Sequence, residues 1–275
     1  MESTEEINMT TFLGNTSTPV QQQPLPDREE DHRFRRLIPI STIDWTSSPT
    51  SHFVPLSGLD FLTDVENLLI QQSVELSDVI ANVASENRYV VRVPRGETIY
   101  YANEISEEGQ RNCFGSSRAF QMQIHDPTRQ LAFTLKRNLA CGTCCMCWCC
   151  LQVLDVYSVS GEFMGCTEQK AHCSKPLFSV KDKFRNTIYR IEGPIKILCL
   201  SPEYLNFQIF SEDGFVQIGS IIHQWDSMQV SYNTLVQFPN RRIENHLKVL
   251  LLGAAFLMEY MYFEDSRRIP CKCIC

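Results

Sequence analysis

The chain has 275 residues, enough for one large domain with a closed core. Hydrophobic residues make up 43% and charged residues 21%, ordinary for a globular protein. A net charge of -7 argues against nucleic-acid binding, which calls for a basic face.

The acidic, polar start Met1-Glu-Ser-Thr-Glu-Glu-Ile lacks the basic-then-apolar order of a signal peptide, and no Gly follows Met1 for myristoylation. A cytosolic N-terminus is expected. Residues 1–52 are rich in Ser, Thr, Gln, Pro and acidic groups without periodicity, and read as a disordered polar arm. Arg33, Arg35 and Arg36 form a small basic cluster in it, either a solvated patch or an attraction for anionic lipid.

Ser57-Gly-Leu-Asp60 has capping-box spacing, and Leu59, Leu62, Val65, Leu68 and Leu69 follow at helical intervals. Together they predict a short amphipathic helix over 58–72. From Tyr89 to Val236 the pattern changes to strands. Val91 and Val93 face Ile99 and Tyr101 across Pro94-Arg-Gly-Glu97, and Phe120, Met122 and Ile124 alternate until Asp126-Pro127. Leu131, Phe133 and Leu135 resume the alternation, and Leu151 to Tyr157 continues past Ser160-Gly161 through Phe163. Phe178 to Lys181 pairs with Ile188 to Ile191, and Tyr204 to Phe210 with Phe215 to Ile222 around Glu212-Asp-Gly214. Period-two alternation with regular turns predicts antiparallel strands with one face buried. About a dozen of them suffice to close a barrel and remove its edges.

Leu247 to Phe263 is apolar almost all round. As a helix it would be about 25 Å long, marginal against a hydrocarbon core of about 30 Å, and it contains Glu259. Two readings fit: a helix buried inside the barrel, which the physics favours, and a single membrane span. Arg267 and Arg268 suit both, at a helix C-terminus or at an interface.

Six of the 13 cysteines lie within Cys141-Gly-Thr-Cys-Cys-Met-Cys-Trp-Cys-Cys150, and Cys271, Cys273 and Cys275 close the chain. Cys113, Cys166, Cys173 and Cys199 are scattered and read as small hydrophobes.

Five segments, in order, carry a resemblance to a known family. They are Pro55-Leu-Ser-Gly-Leu-Asp-Phe-Leu62, Arg111-Asn-Cys-Phe-Gly-Ser-Ser-Arg118, Cys144-Cys-Met-Cys-Trp-Cys-Cys-Leu-Gln152, Gln237-Phe-Pro239 and Leu252 to Glu264. The chain resembles the phospholipid scramblases over residues 54–264, a family related to the tubby C-terminal domain. The resemblance implies a mainly β fold, a closed antiparallel barrel of about twelve strands around a hydrophobic C-terminal helix. The domain would be 53–264, with helix 247–263 inside it and a Cys-rich tail over 265–275. It implies calcium-activated, ATP-independent, bidirectional movement of phospholipids between leaflets, with no covalent chemistry. It also implies membrane attachment, at the plasma membrane with most of the chain cytosolic, through palmitoylation of Cys144, Cys145, Cys147, Cys149 and Cys150.

Acylation makes physical sense there, since each buried methylene contributes about 0.8 kcal/mol and stable anchoring needs two chains or more. Zinc is the competing reading, but only two residues separate Cys141-x-x-Cys144 from Cys147-x-x-Cys150, a strained closure. A redox or inert cluster is the third. The tail is no prenylation box, because Lys272 stands fourth from the end; its cysteines are further acylation candidates.

The family's acidic calcium loop is largely missing. Between Trp225 and Phe238 the only carboxylate is Asp226, so weak or absent calcium binding is expected; the residual ligand candidates are Asp226, Asn233 and Glu244. Gly219-Ser-Ile-Ile-His-Gln-Trp225 holds no Lys or Arg for a nuclear-import stretch. The expected partners are membrane phospholipids, a second copy of the chain and cytosolic signalling proteins. The alternative function is a palmitoyl-anchored lipid- or protein-binding signalling module without transport. The chain shows no P-loop, dinucleotide fingerprint, Gly-x-Ser-x-Gly or His-Glu-x-x-His, and its six His are scattered.

Overall fold

The period-two pattern becomes twelve strands, each antiparallel to its neighbours: β1 (Asn67–Ser73), β2 (Arg88–Arg92), β3 (Thr98–Ile105), β4 (Phe120–His125), β5 (Leu131–Arg137) and β6 (Val153–Ser158), then β7 (Phe163–Lys170), β8 (Leu177–Asp182), β9 (Thr187–Glu192), β10 (Tyr204–Phe210), β11 (Gln217–Asp226) and β12 (Ser231–Gln237). The structure, a computed structural model, describes residues 58–73, 85–94, 96–140, 151–172, 174–195, 204–226 and 231–264. Consecutive strands pair, and β1 closes the barrel against β12 with Asn67 opposite Gln237 and Gln71 opposite Asn233. Closure leaves no strand edge to solvent.

Inward positions alternate as the sequence predicts. Leu68 and Ile70, Tyr89 and Val91, Met122 and Ile124, Phe133 and Leu135, Leu154 and Val156 are all buried. They close on a helix, α2 (Asn245–Met258), which continues as one π-helical turn over Glu259–Phe263. Val249 to Met258 are buried on every side, so α2 has no solvent face. Among the described residues one helix is long and apolar enough to cross a membrane, Asn245–Phe263, and 83% of its apolar stretch is buried in the protein. The barrel core is where this helix lies. Each fully buried Leu or Phe contributes about 1.5–3 kcal/mol, which makes the helix the centre of the hydrophobic driving force. Gly165 on β7 admits it: a Cβ there would lie 2.3 Å from the Lys181 carbonyl and 2.9 Å from Leu250, at φ +153°.

One expectation is corrected. The helix predicted over 58–72 is a 3-10 turn, Gly58–Leu62, followed by strand β1. The Gly58 amide donates to Asp126, 68 residues away, and Asp64 sits at φ +59°, which ends helical continuation. The residues that follow bond to β12 and β2, pairings invisible in local spacing. Arg111–Arg118 covers the end of helix α1 (Glu108–Phe114) and a 3-10 turn at Gly115–Ser117.

The meander gives the barrel two unlike poles. At one, tight turns over 93–97, 126–130, 159–162, 183–186 and 211–216 join strands, and α2 enters. At the other, the connections span 74–87, 106–119, 138–152, 171–176, 193–203 and 227–230, and the helix leaves. These are called the hairpin pole and the loop pole.

Candidate functional site

Chemistry is concentrated where the helix leaves. At the end of β3, Glu104 meets Arg118, which follows the Gly115–Ser117 turn. Arg118 Nε donates to Glu104 Oε1 at 2.6 Å and Nη2 to Oε2 at 2.7 Å. Its Nη1 donates to Glu264 Oε1 at 2.8 Å. Tyr260 Oη donates to Glu104 at 2.7 Å, Ser106 Oγ to Glu104 at 2.6 Å, and Asn87 Nδ2 to Glu264 at 3.0 Å. The Arg118 guanidinium also lies 4.9 Å from the Tyr260 ring centroid. Side-chain exposures of 2% for Arg118, 0% for Glu104 and 4% for Glu264 make this an ionic centre sealed from water.

Burial alone would raise the Glu104 carboxyl, but Arg118, Ser106 and the Asn87 amide outweigh it and hold it below the ordinary carboxylate range. Burial pushes the Tyr260 hydroxyl well up. Carboxylates at a helix C-terminus oppose its dipole. Their retention rests on Arg118 and Asn87, which donate to Glu264, and on Thr234, which donates to Glu259.

Two further networks flank the centre. Thr234 on β12 donates to Glu259 at 2.8 Å, and His223 Nδ1 lies 3.1 Å from the same hydroxyl. Which atom donates in the His223–Thr234 contact follows the tautomer of His223. Its ring stacks on Phe263, centroids 3.8 Å apart. On the other side, Arg137 Nε and Nη2 both donate to Gln152 Oε1, at 2.9 and 2.6 Å, and Nη1 donates to the Ser116 carbonyl at 2.7 Å. Gln152 Nε2 then donates to the Ala140 carbonyl at 3.3 Å. Gln152 and Gln169 exchange bonds of 3.1 and 2.8 Å. Arg137 and Gln152 thus clamp the two stems of the connection that carries the cysteine segment.

Cys144, Cys145, Cys147, Cys149 and Cys150 lie outside the described residues, as do Cys271, Cys273, Cys275 and residues 1–52. The described flanks are informative. Ala140 and Leu151 both belong to the loop pole, and Glu264, the last described residue before the tail, is bonded there to Asn87 and Arg118. Exposed apolar residues ring the same pole: Ile105 at 47%, Phe114 at 43%, Leu139 at 42% and Ile195 at 64%. Cys113 is exposed beside Phe114.

The three calcium candidates are not brought together. Asp226 ends β11 opposite Ser231 at the loop pole. Asn233 is 2% exposed, in register with Gln224 and Gln71. Glu244 precedes α2 at the hairpin pole and pairs with His246 at 3.1 Å. Calcium ligands sit at about 2.3–2.6 Å, so poles separated by the length of β12 share no ion. Among the described residues no group of three or more His, Cys, Asp or Glu is placed to hold a metal. Among the described residues, Asn233 and Glu244 stand too far apart to share a calcium ion.

Arg118, Arg137, Glu104 and Glu264 are the residues that sequence reasoning passed over. Glu259 inside an apolar helix was the available signal that this helix carries polar partners.

The comparisons with known proteins agree with one another. A family model described as Scramblase matches residues 47–265. The chain is 32% identical to phospholipid scramblase 2 of Homo sapiens over 259 residues, covering 92% of this chain and 82% of that protein. It is 30% identical to phospholipid scramblase 1 of Homo sapiens over 229 residues, covering 82% and 71%. Phospholipid scramblase family member 5 of Homo sapiens is 26% identical over 260 residues, covering 93% of each. No solved structure matches. A match over nearly the whole barrel, in a chain with this strand order, leads to one statement: the chain belongs to the scramblase family.

Proposed function

We propose that this protein is a membrane-attached phospholipid scramblase that moves lipids between leaflets in both directions, without ATP and without covalent chemistry. Identity of 32% to a phospholipid scramblase over most of both chains is the observation that carries the reading. Acyl chains on Cys144, Cys145, Cys147, Cys149 and Cys150 attach the loop pole to the cytosolic face of the plasma membrane. Support comes from the shared pole of the cysteine flanks and of Ile105, Phe114, Leu139 and Ile195, apolar groups suited to a bilayer interface.

The helix is occupied as barrel core, so it offers no lipid path of its own. An oligomer of the chain, or disturbance of the bilayer under the seated pole, would supply the path. Calcium is not its switch, in keeping with the dispersed Asp226, Asn233 and Glu244.

Fluorescent-lipid movement in proteoliposomes tests this, at matched protein density, with and without calcium, using palmitoylated protein. Lipid movement equal in both conditions is expected, with loss in the variant carrying serine at Cys144, Cys145, Cys147, Cys149 and Cys150. A calcium requirement would overturn the metal reading. Folded, membrane-bound protein that moves no lipid would transfer the assignment to a tethered binding module.

A further inference from the structure

Three neighbouring turns at the hairpin pole hold apolar side chains out into water. Val159 in the β6–β7 turn is 59% exposed and Phe184 in the β8–β9 turn 73%; Phe215 and Val216 in the β10–β11 turn are 88% and 60% exposed. These hairpins are consecutive around the barrel. A lone exposed apolar residue is ordinary, but several on consecutive tips of one rim form a patch of the kind that marks an interaction site.

The tips are built rather than loose. Asp182 Oδ1 accepts from the Phe184 amide at 2.9 Å and from the Asn186 amide at 2.8 Å. Ser158 Oγ accepts from the Glu162 amide at 3.1 Å, and the Ser211 amide donates to the Val216 carbonyl at 3.0 Å. Side chains displayed on closed turns lose little freedom on contact.

Charge identifies the partner. The β8–β9 tip reads Lys183-Phe184-Arg185, with Lys183 Nζ 5.3 Å from the Phe184 ring centroid. The β10–β11 tip reads Glu212-Asp213-Gly214-Phe215, all on the exposed rim except the half-buried glycine. Gly214 sits at φ +76°, and a Cβ there would lie 3.2 Å from Arg190 Nη1, so this β9 arginine packs against the acidic turn. The patch therefore has a basic half, Lys183 with Arg185, whose guanidinium also lies 3.5 Å from Glu168, and an acidic half, each built around a phenylalanine. An anionic leaflet would attract the first half and repel the second. A second copy related by a two-fold axis satisfies both halves at once, basic tip against acidic tip.

We infer that the rim carrying Phe184 and Phe215 is a self-association surface through which two copies of this chain pack tip to tip. The contact is independent of lipid movement and rests on the tips alone.

Sedimentation velocity of the full chain, reduced and unacylated, tests it over a concentration series. A monomer–dimer equilibrium is expected, weakened tenfold or more by Phe184→Ser with Phe215→Ser. Lys183→Glu with Arg185→Glu should abolish it, as should Glu212→Lys with Asp213→Lys. Mixing those two charge-reversed chains should restore a heterodimer, an outcome that mere damage to folding would not give. Wild-type protein that stays monomeric at high micromolar concentration would overturn the inference. So would a dimer indifferent to these substitutions. Monomeric protein that binds phosphatidylserine vesicles through Phe184 and Phe215 would assign the rim to lipid and overturn it equally.

Discussion

The two poles of the barrel solve opposite problems. At the loop pole three carboxylates and two arginines are drawn inside, and each side chain finds a named partner in the barrel wall or the helix. At the hairpin pole most ionisable groups stay on the rim, but two are buried: Asp126, which accepts from the Gly58, Thr128 and Gln130 amides, and Lys248. Lys248, in the first turns of α2, is fully buried and donates 2.8 Å bonds to the Leu62 and Arg241 carbonyls. Both poles set charge against the helix dipole, a cation near the start and anions near the end. The exit pole answers with hydrogen-bonded counter-charge, whereas Lys248 is bonded only to carbonyls. The comparison teaches that the helix is pinned at its exit and merely seated at its entrance.

Removing the counter-charge is the strongest way to break this asymmetry. Arg118→Leu leaves Glu104 and Glu264 buried without their cation and should cost about 3–5 kcal/mol, read by chemical denaturation. Gly165→Ala comes next: the new methyl meets the Lys181 carbonyl and Leu250, and a loss of about 1–3 kcal/mol is expected in the same measurement.

Acid should then act through the exit pole. The ordinary Glu104 value is 4.5 and the folded carboxyl titrates below it. A depressed folded value gives stability that is complete above about pH 4.5 and is lost as pH falls through the folded value. Thermal melts between pH 6 and 3 should show this decline, with a shallower slope in Glu104→Gln. Lys248→Met should have the smallest effect, within about 1 kcal/mol. It removes two bonds to carbonyls but also a buried cation without a carboxylate hydrogen-bond partner.

The barrel was legible in the sequence because its strands alternate strictly and its turns carry their own signals, as at Asp126-Pro127 and Ser160-Gly161. Residues 58–72 were misread because two short elements meet there. Leu59 and Leu62 belong to the 3-10 turn, Val65 to the link and Leu68 and Leu69 to β1, yet their spacing coincides with a helical stripe. Tertiary bonds to Asp126 and β12 decide the outcome. Beyond Glu259 inside an apolar helix, the exit-pole centre had no local signature. Asn87 and Glu264 touch across 177 residues, and Arg118 and Glu264 across 146. The calcium candidates were grouped by nearness in sequence, and the meander sent Glu244 to the opposite pole from Asp226.

The central claim is that Asn245–Phe263 is barrel core and that acyl chains hold the protein at the membrane. Alkaline carbonate extraction of cell membranes tests it, after hydroxylamine has cleaved every thioester-linked chain from the full-length protein. The account predicts that the deacylated protein is released into the supernatant. Deacylated protein that stays in the membrane pellet would show a spanning helix and contradict the account.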